Sequence, residues 1–217
     1  MSILGDIRPS QLIYTFGIGS LIDLPNMSAL IMGLEEWDTE HCREITEQRL
    51  LDALRIKLGN QLDKLYYPPV TNEEIAIDPA APPVGIPSVP FPRWFRCSIC
   101  GILSPIDSGI FELVHDRYRP DKTKYIHSSC TKANRPVALP VRFLMACRSG
   151  HLTDFPWIEF VHQGRTPCRP ARLRIREYGA SGDVSDVFVE CLDCKEREPT
   201  TYKPRSMREA FDPEISR

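Results

Sequence analysis

Four things are missing from this chain of 217 residues, and each absence removes a class of function. No long apolar run occurs, so nothing in it reads as a membrane span. The opening MSILGDIRPSQ has no basic segment followed by an apolar one, so no secretory signal is expected and a cytoplasmic location follows. There is no excess of positive charge: 27 Lys and Arg against 29 Asp and Glu leave a formal −2. Any contact with nucleic acid must therefore come from a local patch or from a partner. Finally, Gly17-x-Gly19 lacks a third glycine, a Walker lysine and a following helix signature, so a simple turn is preferred there over a phosphate cradle.

Cysteine and proline, by contrast, are well represented. A hydrophobic content of 42% and a charged content of 26% describe an ordinary folded protein and exclude wholesale disorder. Within it stand eight cysteines. Closely spaced thiols in a reducing compartment are better metal ligands than disulfide partners. Eight prolines between positions 68 and 92, including Pro68-Pro69 and the run from Pro79 to Pro92, remove donors and fix φ. That stretch is expected to be an extended connector rather than a helix or a central strand.

Hydrophobic periodicity supplies the elements around this framework. Ile13 to Phe16 and Ser28 to Met32 are read as two β-type runs flanking the glycine turn. Leu50, Leu51, Leu54 and Leu58 form one apolar stripe on a helix over 44–58, stopped by Gly59-Asn60 and expected to be a packing face. His41 and Cys42 precede it without a partner pair and are read as non-ligands. Val141 to His162 is the most distinctive stretch. A strand should deliver Cys147, Gly150 and His151 should form a turn, and Thr153 or Asp154 should cap a helix. Trp157, Phe160 and Val161 would face inward on that helix. Leu173 and Ile175 alternate with Arg172, Arg174 and Arg176, which predicts a half-buried strand paired with Val184 to Glu190. Ser206-x-x-Glu209 matches a capping box. The fold class expected is α+β, with small mixed sheets and short helices stapled by zinc-ribbon-like sites. Its parts are an N-terminal α/β region (1–67), the Pro-rich connector (68–92), a zinc-ribbon-like module (93–140) and a second zinc-binding module (141–217).

The chemistry rests on ligand spacing. Cys97-x-x-Cys100-Gly101 is a zinc-knuckle pattern, because two thiolates two residues apart share an ion only if the chain turns sharply after them. His127 and Cys130 would complete a first set of three cysteines and one histidine. The other reading of His127 is a surface histidine beside a lone cysteine. Cys191-x-x-Cys194, with Cys147 and Cys168, forms the second set, and His151 could replace either Cys147 or Cys168. Two zinc ions result, each in a closed four-ligand shell of the structural kind. A rival reading makes Cys147 a nucleophile with His151 as its base. Arg172, Arg174 and Arg176 are the local basic patch that could follow a phosphate backbone, or else a solvated face paired with glutamates.

Five segments in order, RPSQLIYTFGIGSLIDLP, GLEEW, the Pro68-Pro69 after a leucine-containing helix, FPRWFRCSICG and above all VRFLMACRSGHLTDFPWIEFVH, resemble the B subunit family of the DISARM anti-phage defence complex. That family is grouped with the zinc-binding proteins associated with MrfA-type DNA repair helicases. The resemblance implies a bacterial protein that binds a superfamily 2 helicase subunit and joins a complex engaging DNA, without a motor of its own. It also implies zinc on Cys147, Cys168, Cys191 and Cys194. Members of that family are considerably longer, so a shortened relative or the N-terminal half of a split protein is expected. The function expected is a non-catalytic accessory subunit with no small-molecule substrate. The alternatives are a metal- or thiol-dependent nuclease or hydrolase, and a pure protein-interaction scaffold.

Overall fold

The structure, a computed structural model, describes residues 4–5, 7–69, 84–116, 118–179 and 182–211. Contacts divide the chain into two compact units. One comprises Met1–Leu24, Ala29–Pro90 and His115–Asp121; the other comprises Pro25–Ser28, Phe91–Val114 and Lys122–Arg217.

The first unit opens with helix α1 (Pro9–Tyr14). The run from Ile13 was expected to be a strand. Proline at the start of the helix explains the difference, since its fixed φ and missing N–H suit a first helical turn. Strands β1 (Leu21–Leu24) and β2 (Met27–Ile31) follow, the second containing all but the last residue of the expected Ser28 to Met32 run. Helix α2 (Gln48–Leu58) ends at Gly59 with φ +83°, the left-handed stop that the sequence predicts. The chain on either side of α2 is tied together, because Ile45 N donates to Leu65 O and Tyr67 N to Arg43 O, each at 2.8 Å. The apolar stripe of α2 is not a packing face among the described residues. The helix buries none of them, and Leu50 and Leu58 are exposed. Most of the Pro-rich connector (70–83) lies outside the described residues. Its far end forms β3 (Ser88–Pro90), an edge strand beside β2, which is the position a sheet tolerates proline in.

The second unit is built on one antiparallel sheet. Its strands are β4 (Trp94–Cys97), β5 (Ile102–Pro105), β6 (Phe111–Val114), β7 (Lys124–His127) and β8 (Val137–Pro140). After a two-stranded hairpin of β9 (Leu144–Ala146) and β10 (Leu152–Asp154) comes helix α3 (Trp157–His162). Strands β11 (Leu173–Glu177) and β12 (Val187–Cys191), helix α4 (Leu192–Arg197) and the short β13 (Arg205–Ser206) complete it. The strand order is β13-β12-β11-β5-β4-β8-β7-β6, eight strands in all. The architecture is α+β, with few helices and antiparallel sheets. Pairing of β11 with β5 (Leu173 opposite Leu103) carries the sheet through both segments read as separate modules.

One face of this sheet makes the core. Leu103, Leu173, Ile175, Val187 and Val189 point into it, with Phe143, Phe160 and Trp157 covering them. Trp157 is fully buried. Burying an aromatic of this size is the largest single apolar contribution in the unit, and truncating such a residue to alanine typically costs about 3–5 kcal/mol. Trp157, Phe160 and Val161 of α3 all face inward, as their spacing predicts. The cap of α3 differs from expectation. Thr153 and Asp154 belong to β10, and Pro156 precedes the helix. Asp154 instead accepts the Arg93 backbone N–H at 2.9 Å. The Ser206–Glu209 box is present, with Glu209 accepting from Ser206 N at 3.3 Å, on a 3-10 helix over Met207–Phe211.

Candidate metal centres

The first centre forms where β4 and β7 end on either side of β8. Cys97 closes β4, His127 closes β7, and the turns after them bring in Cys100 and Cys130. Their ligand atoms all lie within 4.8 Å of one another. Cys100 Sγ is 3.4 Å from His127 Nδ1, and Cys97 Sγ is 4.0 Å from Cys130 Sγ. The knuckle depends on Gly101. Its φ is +73°, its N–H donates to Cys97 O at 3.1 Å, and its O accepts from Ile175 N at 2.9 Å. A Cβ there would run into the Ile175 carbonyl, so both the backbone angle and the space require glycine.

The imidazole is held in a ligand-ready state. Ser129 Oγ lies 3.3 Å from His127 Nε2, which leaves Nδ1 facing the sulfurs. Burial lowers the His127 pKa and keeps the ring neutral. Burial pushes the Cys100 thiol up to about 12. Cys130 goes the other way: desolvation raises its pKa, but the backbone N–H groups of Lys132 and Ala133 and the neighbouring Cys100 and Cys97 together lower it further. Buried sulfurs of this kind become thiolates only beside a cation, and four converging N/S donors are the set that Zn²⁺ takes.

The second centre lies where β12 runs into α4. Cys191 is the last residue of the strand and Cys194 sits in the helix, while Cys168 comes from the loop after α3. Cys168 and Cys194 sulfurs are 3.4 Å apart. Burial pushes Cys191 up to about 12, and burial followed by the neighbouring Cys194 raises Cys168. Arg197 Nη2 lies 2.6 Å from Cys168 Sγ, a cation placed against the extra negative charge that three thiolates leave around one divalent ion.

The fourth member of this cluster is His162, not Cys147. His162, Cys168, Cys191 and Cys194 have ligand atoms all within 4.8 Å of one another. His162 is buried at the end of α3, and its Nδ1 is 2.6 Å from Ile158 O. That bond fixes the proton on Nδ1 and turns the lone pair of Nε2 toward Cys168, whose N–H is 3.2 Å away. Cys147 stands elsewhere because β9 is shorter than its apolar alternation implies. Val141 and Phe143 are buried, but Met145 is exposed, so the chain has left the core before Cys147. Cys147 is exposed, with its Sγ 3.2 Å from His151 Nδ1. The signal for His162 was available in the sequence: His162-x₅-Cys168 follows a buried helix and matches the His-plus-cysteine composition of the first set.

Arg172, just before β11, and the arginines within the strand are engaged within the fold. Arg172 Nε meets Asp193 at 2.7 Å and its Nη2 meets Glu196 at 2.6 Å. Glu190, almost fully buried on β12, faces Arg176 at 2.9 Å, Lys195 at 2.9 Å and Arg174 at 3.7 Å. The solvated-face reading with paired glutamates fits this geometry, and only part of the positive charge is left for a phosphate backbone. Among the described residues, no helix is long and apolar enough to cross a membrane.

A family described as a domain of unknown function (DUF8724) matches residues 8–216 of the chain. The chain is also similar to the DISARM protein DrmB of Bacillus paralicheniformis, with 25% identity over 177 residues. The match covers 81% of this chain and 27% of that protein, so the chain spans about a quarter of its relative's length.

Proposed function

The chain belongs to the DUF8724 family, and from that starting point we propose that it is a non-catalytic, zinc-stapled subunit of a bacterial anti-phage defence complex. The observation that carries this is the pair of four-donor clusters in one sheet unit. Each offers an ion four protein ligands, and a tetrahedral shell filled by protein leaves no position for a reacting water. The likeness to a DISARM protein supports the defence assignment. Cys97, Cys100, His127 and Cys130 hold one zinc; His162, Cys168, Cys191 and Cys194 hold the other. Six cysteines gathered as metal donors rather than as disulfides support a reducing, cytoplasmic setting.

The subunit docks on a superfamily 2 DNA helicase and helps the assembly hold DNA. The rigid zinc-bound sheet is the scaffold, and the exposed apolar stripe of α2 is surface available to a protein partner. DNA is engaged by the complex, since this chain carries a formal −2 and Arg172 and Arg176 are already paired. The test is co-expression with a candidate superfamily 2 helicase, followed by co-purification, metal analysis and DNA binding of the complex. The expected result is a stable complex with two zinc ions per copy of this chain and tighter DNA binding than the helicase alone. Fewer than two zinc ions would overturn the architecture. No complex would overturn the partnership, and unchanged DNA affinity would favour a pure scaffold.

A further inference from the structure

Six of the eight cysteines enter the two four-donor sets, which leaves Cys42 and Cys147. These two sit in opposite surroundings. Cys147 is exposed in the turn between β9 and β10, 3.2 Å from His151 Nδ1. The turn is fixed by its own backbone, with Cys147 N donating to His151 O and Gly150 N donating to Cys147 O, both at 3.0 Å. Gly150 has φ +85°, an angle that favours glycine. Backbone N–H groups of His151 and Ser149 point at the sulfur and hold its pKa below the ordinary thiol value. Cys42 instead points its Sγ at Asp38 O, 3.4 Å away, and burial with the Asp38 charge raises its pKa.

We propose that Cys147 and His151 form a nucleophilic thiol–imidazole pair, the covalent modification site of this chain, reacting with peroxides. The exposed sulfur and the ring nitrogen beside it are what such a site needs. In the reaction, His151 takes the Cys147 thiol proton, and the sulfur attacks one oxygen of hydrogen peroxide with a lone pair. An S–O bond forms as the O–O bond breaks. The departing hydroxide takes the proton held by His151 and leaves as water. Sulfur loses two electrons and the peroxide gains them, giving a sulfenic acid. That acid condenses with a low-molecular-weight thiol, forming an S–S bond and releasing a second water. The pair is independent of both metal sets, so modification leaves their ligands in place.

The test treats the zinc-loaded full chain with limiting iodoacetamide, and separately with dilute hydrogen peroxide plus a sulfenic-acid trap. Labelled peptides are then quantified by mass spectrometry, and zinc is measured in the same samples. Cys147 should react about tenfold faster than Cys42 with both reagents. His151→Gln should slow Cys147 by about tenfold, with the Cys42 rate and the zinc content unchanged. Equal or faster labelling of Cys42 would overturn the proposal, as would an unaffected Cys147 in the His151→Gln chain. Protection of Cys147 by a third zinc ion would also overturn it, making the pair a metal half-site. A zinc content below two per chain is read independently and bears on the metal centres alone.

Discussion

Replacing His162 with alanine should remove one zinc ion, whereas replacing Cys147 with serine should remove none. The geometry sets the magnitude. A structural zinc site is worth on the order of 10 kcal/mol or more, and spread over four ligands this is about 3 kcal/mol for each. Losing the His162 imidazole should therefore weaken the second site by about a hundredfold or more in Kd. The substitution also strips partners from Ile158 O and the Cys168 N–H, at 2.6 and 3.2 Å in the intact chain. That costs the fold about 1–3 kcal/mol of its own. The assay must separate the two effects. Purified variants are equilibrated with a chelator of graded zinc affinity, and bound zinc is counted by elemental analysis while folding is followed by circular dichroism. The intact chain and Cys147→Ser should both hold two ions across the series. His162→Ala should hold one tightly and surrender the other at low chelator concentration. Two tightly held ions in His162→Ala, with one lost in Cys147→Ser, would refute the assignment and restore Cys147 as the ligand.

Three further outcomes follow from the same geometry. Gly101→Ala forces a Cβ against the Ile175 carbonyl at a φ of +73°, so it should destabilise the chain by about 1–3 kcal/mol in denaturant melts and loosen the first zinc; an unchanged midpoint would contradict the reading. Reversing Arg172, Arg174 and Arg176 to glutamate sets three carboxylates against Asp193, Glu196 and the buried Glu190, so the variant should fail to fold rather than merely lose DNA contact; a folded variant with an unshifted melting temperature would show those pairs to be unimportant. The pH dependence has opposite signs with and without metal. In the metal-free chain, Cys100 and Cys191 have folded pKa values near 12 against an ordinary value of 9.0, so the unfolded chain ionises first and stability is lost as pH rises from about 9 toward 12. With zinc, lower pH returns protons to the thiolates and weakens binding, so thermal stability should fall on acidification; stability independent of both metal and pH would refute thiolate coordination.

The parts of the fold that could be read in advance are those governed by local spacing. Trp157, Phe160 and Val161 show a helical stripe whatever surrounds them, and all three are buried in α3. Leu173 and Ile175 alternate with arginines, and the strand and its antiparallel partner β12 follow, with Leu173 opposite Cys191. What was not legible depends on pairings far apart in sequence. Nothing near Ile102 announces that β5 will lie beside β11 and fuse two expected modules into one sheet. Nor does the stripe of α2 say whether a surface exists to cover it.

The same distinction explains which ligands were found. The pairs Cys97/Cys100 and Cys191/Cys194 are local devices, since a strand end followed by a tight turn or a helix start puts two sulfurs at one point. Lone ligands must be delivered by tertiary structure, and there composition misleads. Seven of the eight cysteines and His127 can be arranged into two tidy shells by counting alone, which favours Cys147 and passes over His162. The physical criterion is where the chain is buried. Val141 and Phe143 enter the core, but Met145 has already turned to solvent two residues before Cys147. The chain re-enters only at Trp157, and the helix that follows carries His162 to the sulfurs in a fully packed position. A buried histidine needs a reason to be inside, because its ring nitrogens must both be satisfied there. Ile158 O accepts from one of them, and the Cys168 N–H donates to the other, beside the three converging thiols. The exposed Cys147–His151 pair is thereby released from a structural duty and left free to react.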